Sequence, residues 1–114
     1  MIISQTYSST GFVETSQLLS DRDQQRQTAL HLAVNAGNYE VTQLLLENNS
    51  LVNDARMGLV TCLHIASSNG FTDIVRLLLS YNANIEAKNQ QGETALHKAA
   101  GMNKVDIMNL LMER

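Results

Sequence analysis

Thr28-Ala29-Leu30-His31-Leu32-Ala33, Thr61-Cys62-Leu63-His64-Ile65-Ala66 and Thr94-Ala95-Leu96-His97-Lys98-Ala99 are three copies of one pattern. Their histidines stand at 31, 64 and 97, a period of 33 residues. The register continues past the motif. Gly37 and Gly70 align with Asn103, Glu40 with Asp73 and Asp106, and Leu44-Leu45 with Leu77-Leu78 and Leu110-Leu111. Internal repetition held over so many positions organises the chain, and it points to stacked units rather than one self-contained core.

Each unit reads as two short helices and a loop. Leu30, Ala33 and Val34 are spaced for one face of a helix that Thr28 caps with its hydroxyl. Gly37 ends that helix, and glycine and asparagine are the residue types that tolerate the left-handed backbone such an end needs. Glu40 opens a second helix at the positive end of its dipole, with Val41, Leu44 and Leu45 as the expected apolar face. Ile74, Leu77 and Leu78, then Ile107, Leu110 and Leu111, repeat that face. Polar connectors follow, each with one apolar anchor, Val52 or Ile85, and Leu19 in the matching place upstream.

The motif TALHLA, TCLHIA, TALHKA resembles the signature of the ankyrin repeat family, in phase with the downstream leucines. The resemblance covers 19–114, with repeats at about 24–56, 57–89 and 90–114, and leaves 1–18 as either a poorly matching N-terminal segment or a degenerate half repeat. It implies an all-α solenoid of stacked helix-turn-helix units with hairpin-like finger loops. It also gives the motif residues Thr28, His31, Thr61, His64, Thr94 and His97 a structural role, the histidine bonding its helix to neighbouring loops. Two departures stand out. The proline usual after the threonine is replaced by Ala29, Cys62 and Ala95, which lose its pre-set φ. The finger glycine survives only as Gly92, with Arg26 and Leu59 in its other two places, so irregular turns are expected in the first two fingers.

Composition narrows the function. The 114 residues are 44% hydrophobic and 17% charged with net charge −3, which argues against a basic nucleic-acid-binding face. Runs of apolar residues stop at three, so no transmembrane helix and no membrane insertion is expected. The single cysteine and the absence of a signal-like N-terminus point to a reducing compartment, the cytoplasm or the nucleus. No cofactor or metal is expected. Histidines on neighbouring stacked units lie about 8–10 Å apart, whereas zinc is bonded at about 2 Å. Cys62 sits at a helix start without a catalytic histidine–acid pair, so it reads as a plain substitution. Nothing assembles a nucleophile, a phosphate loop or an acid–base pair, and the expectation is a non-enzymatic chain.

The family resemblance implies binding of another protein, as a scaffold or adaptor, through finger tips and the exposed side of each first helix. Carried over by position, that surface is Gln24, Gln25, Gln27, Asn35 and Ala36, then Met57, Gly58, Val60, Ser68 and Asn69, then Gln90, Gln91, Glu93, Gly101 and Met102. Met57, Leu59 and Val60 replace the usual hydrophilic tip, either as an anchor for a partner or tucked against the next finger. Arg22, Arg26, Arg56 and Lys88 add basic charge along the fingers, which would steer an acidic partner unless it is simply a solvated rim. Met108 and Met112 would leave an apolar strip on the last helix. Two alternatives accompany this reading. One is a cytosolic segment of a larger protein such as a channel, kinase or ubiquitin-ligase subunit, continuing into a longer array. The other is an inhibitor sequestering a transcription factor, since Thr61–Ser67 is similar to a stretch of ankyrin-type inhibitors of Rel proteins.

Overall fold

The computed structural model describes residues 18, 19 and 21–114. The half-repeat reading of the N-terminal segment falls almost wholly outside them. Leu18 and Leu19 have helical backbone, so Leu19 is not the connector anchor its phase suggests. Asn49 turns left-handed (φ 73°) just after the equivalent helix.

Six helices follow in pairs: α1 (Ala29–Asn35) with α2 (Tyr39–Glu47), α3 (Cys62–Asn69) with α4 (Thr72–Ser80), and α5 (Ala95–Gly101) with α6 (Val105–Met112). The first helices stack as an inner layer, α1 on α3 on α5, and the second helices as an outer layer, α2 on α4 on α6. A short antiparallel hairpin, β1 (Ala55–Arg56) and β2 (Val60–Thr61), forms the second finger with Ala55 opposite Thr61 and Arg56 opposite Val60. The architecture is an all-α repeat stack, as the period predicts.

Each inner helix starts the same way. Thr28, Thr61 and Thr94 are extended N-caps whose hydroxyls accept from the backbone N–H three residues on, while that residue's imidazole accepts from the cap N–H. Histidine thus takes the place of the usual glutamate in a capping box. The turns between paired helices are left-handed at Gly37 (φ 72°), Gly70 (φ 79°) and Asn103 (φ 60°), as expected. Gly37 has a second reason to lack a side chain: a Cβ there would meet the Phe71 ring at 2.9 Å.

Burial departs from the expected face in the first outer helix. Ile74, Leu77 and Leu78 of α4 are buried, but their counterparts Val41 and Leu44 in α2 are 41% and 57% exposed, and Leu45 is only partly buried. Thr42 and Leu46 are buried instead. The cause is position in the stack. The middle unit is covered on both sides, whereas among the described residues α2 is covered by α4 on one side only. The opposite end shows the complement: Met112 and Val105 are exposed on α6, while Met108 packs against the core.

The finger turns correct another expectation. All three close with one bond, Arg26 N–H to Asp23 C=O, Leu59 N–H to Arg56 C=O and Gly92 N–H to Asn89 C=O, each 2.9 Å. Arg26 (φ 65°) and Leu59 (φ 61°) adopt the positive φ that Gly92 (φ 79°) adopts freely. The shared closure and φ are kept without glycine because neighbours impose them. The Asp23 carboxylate accepts from the N–H groups of Gln25 and Gln27, and the Asn89 carboxamide oxygen from those of Gln91 and Glu93. Arg56 offers no such acceptor, and there the hairpin ladder and a left-handed Gly58 (φ 85°) hold the turn. Leu59 is exposed, so its side chain brings little packing to offset a left-handed backbone. Leu59→Gly is expected to raise the unfolding free energy by up to about 1 kcal/mol, visible as a higher urea midpoint at unchanged slope.

Candidate functional site

The fingers are tied to one another through backbone. Met57 N–H donates to Gln25 C=O at 2.9 Å and Gln90 N–H to Gly58 C=O at 2.8 Å. The main chain at the three tips is thus partly used in aligning them, while the side chains of Gln24, Gln25, Met57 and Gln90 stay exposed. Below the tips lies a groove of about 250 Å³, lined by Asn35, Arg56, Val60, His64, Ile65, Ser68, Asn69, Asn89, Gln91 and Lys98. It gathers side chains from three successive units, which places Asn35, Val60, Ser68, Asn69 and Gln91 of the expected surface together. Gln27 and Glu93 are half-buried and Ala36 is exposed; none of the three lines the groove, nor do Gly101 and Met102, exposed at the end of α5. Of the apolar tip, Val60 packs against the core while Met57 and Leu59 are 56% and 58% exposed, so only one of the three tucks in.

Arg56, Ile65, Asn89 and Lys98 also line the groove and are absent from the expected surface. Ile65 and Lys98 had a signal: they hold the place in the motif between histidine and alanine, which varies as Leu32, Ile65, Lys98. Arg22 behaves differently from its expected steering role. Its guanidinium pairs with Asp54 at 3.1 Å and donates to the carbonyls of Arg26 (2.7 Å) and Ala55 (3.0 Å), fastening the first finger to the second. Glu93 is likewise occupied, accepting from Asn89 Nδ2 at 2.9 Å and pairing with Lys98 at 3.5 Å.

The histidines form the frame behind the groove. Nδ1 of His31, His64 and His97 accepts from the N–H of Thr28, Thr61 and Thr94 at 3.0–3.1 Å, which leaves the proton on Nε2. His31 Nε2 then donates to Asp54 C=O at 3.0 Å and His64 Nε2 to Glu93 C=O at 2.8 Å. Among the described residues His97 has no such acceptor, and its cap is exposed. Burial pushes the pKa values of His31 and His64 below the ordinary 6.5. An imidazole neutral when folded and protonated when unfolded adds stability that is complete above about pH 6.5 and is lost as pH falls through the lowered values. Asp23 and Glu93 are lowered too, by the Gln27 N–H and the Asn89 amide, so their contribution fades only at more acidic pH. Urea midpoints measured across pH should therefore be flat near neutrality, fall first in the histidine range, and fall again in the carboxylate range.

Cys62 is fully buried, and desolvation pushes its thiol up to about 12. It is packing, not a nucleophile. Native protein is expected to resist thiol reagents, with labelling that tracks opening of α3 and becomes fast only in denaturant. Among the described residues no three His, Cys, Asp or Glu side chains cluster as a metal site, and no helix is long and apolar enough to cross a membrane.

A family model described as ankyrin repeats (3 copies) matches residues 49–114, and one for a single ankyrin repeat matches 25–56. The chain belongs to the ankyrin repeat family. Ankyrin repeats are protein–protein interaction modules and are generally non-catalytic. The groove thus lies where fingers and inner helices of three ankyrin repeats meet. Among curated proteins no sequence matches this chain.

Proposed function

We propose that this chain captures a partner protein along its exposed finger tips and in the groove beneath them, as a scaffold or adaptor without catalytic activity. The observation that carries the reading is the groove itself, into which three repeats contribute side chains at positions that vary within an otherwise regular scaffold. Such a surface is preformed, so little ordering cost accompanies binding. The exposed Met57 and Leu59 at the middle finger tip stand beside the mostly polar groove, the composition of an apolar anchor with an adaptable surround.

The test uses the whole chain as bait. A partner captured by the native protein should be lost with Ser68→Arg, which fills the groove. It should be weakened by about 1 kcal/mol or more with Met57→Asp. Arg76→Ala, on the outer face of α4, should leave capture intact. Loss with Arg76→Ala and retention with the other two would place the contact surface on the outer helices and refute this reading.

A further inference from the structure

We propose that the groove takes an acidic side chain from an extended segment of the partner, with Arg56 as its counter-charge; this rests on the protein-binding reading above. The argument is one of allocation. Two cations line the groove, Arg56 and Lys98. Lys98 is already paired with Glu93 at 3.5 Å, and the same carboxylate oxygen accepts from Asn89. The acid closest to Arg56 in sequence, Asp54, is taken by Arg22 at 3.1 Å. Arg56 pairs with no carboxylate among the described residues. Among the described residues its guanidinium makes one hydrogen bond, a long one, Nη1 to Met57 C=O at 3.3 Å, so most of its five donors remain open there. The chain carries net charge −3, yet the unpaired charge in this groove is positive.

The surroundings define the rest of the ligand. His64 adds no charge, because burial disfavours its protonated form and its Nδ1 accepts from the Thr61 N–H, while its Nε2–H is spent on the Glu93 carbonyl. Asn35, Asn69 and Gln91 offer neutral amides and Val60 and Ile65 apolar contact, and Met57, next to Arg56 in the chain, stands exposed outside the groove lining. One open guanidinium among amides matches a single carboxylate; a phosphoryl dianion is ordinarily met by a cluster of arginines. Arg56 is half-buried as a residue, and its planar guanidinium can meet a carboxylate in a charge-assisted, two-pronged bond. The ligand is therefore a peptide segment carrying Asp or Glu beside an apolar residue that reaches Met57.

The experiment selects binders to the whole chain from a random-sequence peptide library displayed on phage, then measures the selected peptides by fluorescence anisotropy. They should share an acidic residue next to an apolar one. Arg56→Gln should weaken them about tenfold or more, and molar salt should weaken them as well. Replacing the peptide's acid by its amide should cost the same factor with the native chain and nothing further with Arg56→Gln, the signature of a direct pair. Circular dichroism checks that Arg56→Gln keeps its fold. Peptides that lack an acid, ignore Arg56→Gln and are lost with Ser68→Arg would overturn the acidic ligand and keep the groove. Peptides indifferent to both substitutions would overturn both readings.

Discussion

Leu78→Ala is expected to destabilise the array by about 3–4 kcal/mol. Leu78 is fully buried in α4, the outer helix that touches both α2 and α6. Truncation there leaves a cavity that flanking helices fill only in part, and it loosens two repeat interfaces at once. Small domains hold only about 5–15 kcal/mol in total, so the variant should lose much of its cooperative transition. The comparison that isolates position is Leu45→Ala. Leu45 occupies the same place in the first repeat but is only partly buried, and its loss should cost about 1–2 kcal/mol. Urea denaturation followed by circular dichroism reads both. Equal losses would mean that the end repeat is covered as well as the middle one.

The second large effect separates two residues that look the same in sequence. His64→Ala should cost about 3 kcal/mol, because it strands the buried Thr61 N–H and the Glu93 carbonyl and empties the space of a ring that is 1% exposed. His97→Ala removes an exposed cap with no forward carbonyl bond and should cost about 1 kcal/mol. The difference measures the contact between repeats rather than the cap within one. Similar losses for the two would show that the cap carries the energy and the forward bond adds little.

The fold was legible because the evidence for it is redundant. Three motifs in one register specify helix starts, helix ends and stacking partners together, so Thr28, Gly37 and Ala66 each support the same answer. What escaped is set by neighbours rather than by pattern. Val41 and Ile74 are equivalent letters, but one is exposed and the other buried, since burial depends on what stands on either side. Arg26 and Leu59 look unfit for a left-handed turn, yet closure of the finger imposes it. The groove was legible in half. Positions that vary between repeats pointed to Asn35, Ser68 and Gln91, whereas the open state of Arg56 depends on Arg22 claiming Asp54, a pairing no spacing announces.

The forward reach of the histidines also bears on synthesis. His31 finds its acceptor 23 residues downstream and His64 finds its own 29 downstream. A chain emerging from the ribosome therefore cannot complete either contact when the corresponding helix appears. Each repeat waits for the next finger to be made, so completion trails translation by most of a repeat, and every newly exposed unit is provisional until its successor arrives.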